Sequence, residues 1–70
     1  MRLRINDLVK KIKLEDSEID PGIGVVVRGA YEKEMKLTPD VRSLKLCVDV
    51  LFGGAVHRGI PVDQLLRLDI

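Results

Sequence analysis

Two adjacent glycines, Gly53-Gly54, set between two β-rich runs constrain this chain more than any other feature. Cys47-Val48-Asp49-Val50-Leu51-Phe52 precedes them and Ala55-Val56-His57-Arg58-Gly59-Ile60 follows. A two-residue hairpin connection needs positive φ at its centre, which glycine adopts without steric cost. The pair therefore predicts a β-hairpin with a defined register. Phe52 faces Ala55, Leu51 faces Val56, Val50 faces His57, Asp49 faces Arg58, Val48 faces Gly59 and Cys47 faces Ile60. Side chains alternate along a strand, so Val48, Val50, Phe52, Ala55 and His57 share one side. Cys47, Asp49, Leu51, Val56, Arg58 and Ile60 share the other. Opposite charges directly across a ladder contribute roughly 0.2–1 kcal/mol, and a charged pair is costly inside so small a core. The second side is thus expected to be outer, and its apolar members mark it as a partner-contact surface. A bulge at Gly59 is the competing reading and would return some of these residues to the core.

Seventy residues make a single domain, 1–70, and a chain of that size buries only a small core. Domains this small usually need staples or oligomerisation. Cys47 is the only cysteine and His57 the only histidine, which excludes an internal disulfide and a Cys/His zinc site. Self-association or docking onto a larger assembly is left as the expected help. Charged residues are 33% of the chain but the net charge is only +1, so composition implies no general pull on nucleic acid or anionic membrane. Nothing in the sequence reads as a secretion signal or a membrane span. A free cysteine fits a reducing, cytoplasmic setting.

Along the chain, Met1 to Ile5 reads as a short strand or lead-in and Asn6-Asp7 as a turn. Leu8 to Leu14 reads as a first strand with Leu8, Ile12 and Leu14 inward. Glu15 to Gly22 is an acidic loop closed by Pro21-Gly22. Ile23 to Arg28 is β-branched and reads as a strand, extended through Gly29-Ala30-Tyr31, with Gly24 marking a bend or bulge. Glu32 to Ser43 has two readings, since Thr38-Pro39-Asp40 suits a helix start or a plain turn. Pro61 to Leu66 reads as one 3₁₀ turn and Arg67 to Ile70 as a closing strand. The expected core is Leu8, Ile12, Ile23, Val25, Val27, Val48, Val50, Phe52, Leu65 and Leu68.

Four segments in this order carry a resemblance. Asn6-Asp7-Leu8-Val9 is similar to the G-D-x-V opening of small SH3-like barrels, with Asn6 where glycine is usual. Gly22-Ile23-Gly24-Val25-Val26-Val27 resembles their G-x-G-x-V-V strand. Val48-Asp49-Val50-Leu51-Phe52 resembles the V-x-V-x-F/W strand before a tight turn. Ile60-Pro61-Val62-Asp63-Gln64-Leu65-Leu66-Arg67-Leu68 is similar to the V-P-x-x-x-L-x-x-I ending. The resemblance covers most of the chain except Glu32 to Ser43. It is nearest to small SH3-like proteins of tailed bacteriophages, whose roles are mostly unassigned. It implies an all-β, five-stranded SH3-like barrel with one 3₁₀ turn, located in a virion or the host cytoplasm. The ending is also similar to that of plasmid-borne trimethoprim-resistant dihydrofolate reductase. The glutamine and tyrosine of that active-site stretch are replaced in His57-Arg58-Gly59-Ile60, so the activity is not implied. A shared fold does not carry function.

The residues with chemical potential are few. His57 lacks a local nucleophile or second acid and reads as a rim histidine. Cys47, among apolar neighbours, reads as a small hydrophobe. Glu15, Asp16, Glu18 and Asp20 do not have EF-hand spacing and read as a solvated loop. No catalytic set, cofactor or metal site is expected. The expected function is a non-catalytic protein–protein interaction or assembly module, forming a homo-oligomer or docking through Cys47, Asp49, Leu51, Val56, Arg58 and Ile60. The alternative is a KOW-like RNA- or DNA-binding module using Arg2, Arg4, Lys10, Lys11 and Lys13. The aromatic platforms that usually assist such binding are scarce, since Tyr31 and Phe52 are the only aromatic residues.

Overall fold

β-rich runs and turn residues alternate along the sequence, and the backbone follows them. The computed structural model describes residues 3–12, 14 and 16–68, with the side chains of Met35 and Leu37 outside that set. The elements are β1 (Leu8–Lys11), β2 (Ile23–Thr38), β3 (Val41–Phe52), β4 (Ala55–Pro61), a 3₁₀ turn (Val62–Gln64) and β5 (Leu65–Arg67). They form one antiparallel sheet in the order β4-β3-β2-β1-β5. β4 and β5 stand at its two edges and are not paired with each other among the described residues. Backbone bonds outside the strands tie the lead-in to the sheet: the Asn6 N–H donates to Val26 O (2.8 Å) and the Val26 N–H to Asp7 O (2.9 Å).

Gly53 and Gly54 have φ of 54° and 85°, the two positive values a type I′ turn needs. The hairpin opens in the expected register, with Phe52 opposite Ala55, Leu51 opposite Val56 and Val50 opposite His57. It then shifts by one residue. Val48 pairs with Ile60 and Cys47 with Pro61. Gly59, at φ 69°, takes the strained position of the resulting bulge. The expected pairs of Asp49 with Arg58, Val48 with Gly59 and Cys47 with Ile60 are therefore corrected.

The core comprises Leu3, Val9, Val26, Val48, Val50, Phe52, Ile60 and Leu65. Ile60 and Leu65 come from opposite edges of the sheet yet join one buried cluster, so the sheet curls around it. Val48, Val50, Phe52 and Leu65 lie where expected. In β1 and β2 the inward parity is the reverse of the expected one. Val9 and Val26 are buried, Leu8, Val25 and Leu68 are half-buried, and Val27 is exposed. Ile12 and Ile23 are 63% and 56% exposed. The physical reason is Gly24, which lies opposite Val9 in a regular stretch of ladder and is not a bulge. A β-carbon there would sit 2.5 Å from the Phe52 ring and from Val50. The inward row of β2 thus begins with a residue that has no side chain because Phe52 fills its place, and hydrophobicity alone misreads it.

Glu32 to Ser43 holds no helix, and of its two readings the plain turn at Thr38-Pro39-Asp40 is the one found. β2 and β3 continue through it as a hairpin closed by Pro39-Asp40. Thr38 does cap a backbone group, but its Oγ1 accepts from the Val41 N–H (3.1 Å) of the returning strand. β1 ends at Lys11 and the closing strand starts at Leu65, earlier than expected, because the 3₁₀ turn is only three residues long. Among the described residues no helix is long and apolar enough to cross a membrane.

Candidate functional site

Asp49 organises the outer side of β2, β3 and β4. The residue is only 5% exposed. Oδ1 accepts from the Tyr31 hydroxyl (2.6 Å) and from the Gly59 N–H (2.9 Å). The Arg28 guanidinium reaches Oδ2 at 4.0 Å and lies 4.1 Å over the Tyr31 ring. The bulge is what makes this possible. By shifting β4 one residue it turns the Gly59 N–H toward Asp49 in place of a ladder partner. Two further irregularities, between Val26 and Arg28 and between Arg28 and Tyr31, set both side chains beside the same carboxylate.

The electrostatics follow from these contacts. The Tyr31 hydroxyl bond, with the Gly59 N–H and the nearby Arg28 and Arg58 charges, holds the Asp49 carboxyl below its ordinary range despite burial. The same bond raises Tyr31, because losing its proton would place a phenolate against a carboxylate. Lys33 adds another cation, its ammonium 2.7 Å from where a β-carbon on Gly59 would sit.

The expected contact face is divided by this arrangement. Cys47, Asp49 and Ile60 are buried, Leu51 is half-buried, and Val56 and Arg58 are exposed. The single outer surface inferred from alternation is corrected: the bulge sends Ile60 inward, and Asp49 is roofed by Tyr31 and Arg28. Cys47 pairs with Tyr31 on one side and Pro61 on the other, and its Sγ contacts Lys45 O at 3.6 Å. What remains outward is a cross-strand row of Leu8, Val25, Leu51 and Val56.

Of the N-terminal basic residues, Arg2 and Lys13 lie outside the described residues. Lys10 pairs with Asp20 (3.6 Å) and Lys11 with Glu18, so the acidic loop offsets them. Arg4 is exposed, and its backbone N–H donates to Asp7 Oδ2 at 2.8 Å. Asp20 also accepts from the Gly22 N–H (2.8 Å), while Glu15 lies outside the described residues. Among those described, no group of three or more His, Cys, Asp or Glu is placed to hold a metal ion. His57 is exposed and meets the Phe52 ring edge-on at 5.3 Å, a rim position.

A second feature is the arm. Beyond Cys47, β3 has no pairing to β4, and beyond Val25, β2 has none to β1, among the described residues. The two strands run on together, and the molecule measures 42 Å along its longest axis against 20 Å along its shortest. All register shifts of the β2–β3 ladder are extra residues in β2, so β3 alternates without interruption. Leu44 and Leu46 therefore lie on the same side of β3 as Val48 and Val50, but they are 67% and 44% exposed.

Arg28, Tyr31, Lys33, Leu44 and Leu46 were not among the residues singled out from sequence. Gly59, directly after Arg58, was the one available signal of the bulge that assembles the Asp49 cluster. No family model matches the chain, and no curated protein and no solved structure matches it.

Proposed function

We propose that the chain is a non-catalytic protein–protein interaction and assembly module on a small SH3-like barrel, and that it self-associates through the β2–β3 arm. Several features support the barrel reading: the meander order, the 3₁₀ turn between β4 and β5, and a core fed from both sheet edges. Asn6 adds to it. It stands where such barrels usually have glycine and has φ 77°, a conformation asparagine tolerates better than most residues.

The observation that carries the assembly reading is the core side of β3 running out of the body uncovered. A two-stranded hairpin alone is marginal in water, and Leu44 and Leu46 leave apolar surface on it. Burying them would contribute about 1–2 kcal/mol each. The two arm edges differ. β2 is guarded by its bulges and by Glu32, Lys33, Glu34 and Lys36, the features that discourage strand addition. The β3 edge is regular, with Leu44 and Leu46 near its centre. Antiparallel pairing of two β3 edges about a two-fold axis centres on one residue. Centred on Lys45 it would oppose two ammoniums, which is unfavourable. Centred on Leu44 it sets leucine against leucine and Leu46 against the Arg42 stem. An interface this small is weak. The phage resemblance would make such an assembly part of a virion or of an accessory complex in the host.

Sedimentation and native mass spectrometry over a concentration series test this. The expected result is a reversible dimer that Leu44→Glu with Leu46→Glu abolishes while the circular dichroism spectrum is unchanged. A wild-type chain that stays monomeric at millimolar concentration would sink the proposal.

A further inference from the structure

The sequence is nearly neutral, but the fold sorts its charges by face. On the outer side of β2, β3 and β4 stand Arg28, Lys33, Lys45 and Arg58. Against them, among the described residues, are two carboxylates, the sealed Asp49 and Asp63, which pairs with Lys45 at 3.6 Å. Glu32 and Glu34 alternate to the opposite side, facing Leu46 and Leu44, and Glu34 is taken there by Arg42 at 3.2 Å. Among the described residues no carboxylate lies within ion-pairing distance of Lys33 or Arg58. Lys33 and Lys45 are moreover direct cross-strand neighbours, a like-charge pairing that costs stability.

This face also has a prepared stacking element. Asp49 anchors the Tyr31 hydroxyl and faces Arg28, so the guanidinium is held 4.1 Å over the ring centroid with its side chain 63% exposed. A guanidinium fixed in this way offers its outer plane to a base and its charge to a phosphate. Surplus cations beside a planar platform are what single-stranded nucleic acid requires, because backbone contacts supply affinity and stacking is tolerant of sequence. Acidic peptides would use the charge but not the platform. Duplex would present its phosphates and hide its bases.

We infer that the outer face of β2–β3–β4, through Arg28, Lys33 and Arg58 around the Asp49-anchored Tyr31, binds single-stranded nucleic acid. It is separate from the arm edge used for self-association and does not involve the N-terminal basic segment. Three to four phosphate contacts, at a slope of about −0.7 each for single strands, weaken binding about 20- to 50-fold between 50 and 200 mM salt.

Fluorescence anisotropy of a labelled oligothymidylate, titrated at several salt concentrations, reads this directly. Tyr31 is the only tyrosine and there is no tryptophan, so quenching of intrinsic emission by an unlabelled oligonucleotide reports stacking at this face alone. Lys33→Gln with Arg58→Gln leaves the Arg28–Tyr31–Asp49 contacts intact and is expected to flatten the salt slope by about 1.4. Adding Arg28→Gln should remove the tyrosine quenching as well. Lys10→Gln with Lys11→Gln should change affinity less than twofold. The inference is overturned by any of four results: no binding at low salt, equal binding of duplex or polyglutamate, unquenched tyrosine, or loss of binding in the N-terminal variant alone.

Discussion

β3 is one uninterrupted strand with two fates. From Cys47 to Val50 every residue is buried, and Phe52 is buried with them; from Val41 to Leu46 none is. The residue types do not explain the difference, since Leu44 and Leu46 are at least as hydrophobic as Val48 and Val50 and lie on the same side. What changes is the neighbourhood. The inner half has β4 along one edge, β2 along the other and the core below. Among the described residues the outer half is paired with β2 alone, and it also makes the ion pair of Lys45 with Asp63 in the 3₁₀ turn. Alternation decides which way a side chain points, but burial requires something on that side to point at.

The buried half of β3 depends most on Phe52. Phe52→Ala is expected to cost about 3–5 kcal/mol, a large share of the roughly 4–10 kcal/mol available to a chain of this size. Urea denaturation would measure it. Gly24→Ala tests the same spot from across the sheet, because its new methyl group would meet Phe52 and Val50. Overpacking of this kind costs about 1–3 kcal/mol. Combining it with Phe52→Leu should give a double-mutant coupling that a mere change in strand propensity would not show.

On the outer side of the buried half, Asp49→Asn should cost about 1–3 kcal/mol through its bonds to Tyr31 and Gly59. The pH dependence has a definite sign. Asp49 is held below its ordinary value of about 3.9, so its contribution is present above that value and is lost as pH falls through the depressed folded one. Tyr31 is raised above about 10, so its contribution is present below that pH and is lost as pH rises through the higher folded value. Thermal melts from acid to alkaline pH should show both flanks. Asp49→Asn should abolish the acid flank due to this group, and Tyr31→Phe the alkaline one.

Gly59→Ala is expected to cost about 1–2 kcal/mol from the left-handed backbone alone. The Lys33 side chain can swing away, so the new methyl group adds little. Chemical shifts of β4 would then report whether the bulge survives. Smallest of all, Leu44→Ala should change monomer stability by no more than about 0.5 kcal/mol, while weakening self-association. If Leu44→Ala instead destabilised the monomer as core substitutions do, the arm would be folded against something and the contrast within β3 would fail.

Much of the fold was legible in residue order. Gly53-Gly54 located the hairpin and its first three pairs. Val48, Val50, Phe52 and Leu65 were recognisable core, and Pro61 marked the 3₁₀ turn. The errors have specific origins. Gly24 has no side chain, so the inward row of β2 looked like the outward one, and Val9 was misjudged with it. Glu32 to Ser43 carries alternating charges and few β-branched residues, so Thr38-Pro39-Asp40 offered a turn but no strand signal flanked it to make a hairpin. The Asp49 cluster was the least legible. Arg28 and Tyr31 lie far from Asp49 in sequence, and alternation carried past Gly59 without a shift put Ile60 on the wrong side.

The sequence by itself determined the local conformations: where φ must be positive, where strands begin and turn, and which side chains alternate. Those are set by sterics within a few residues. Tertiary structure alone decided which of two alternating faces became the core, that Asp49 would be sealed under Tyr31 and Arg28, and that Arg28, Lys33, Lys45 and Arg58 of a nearly neutral chain would share one face. These depend on partners distant along the chain, brought near only when the sheet curls.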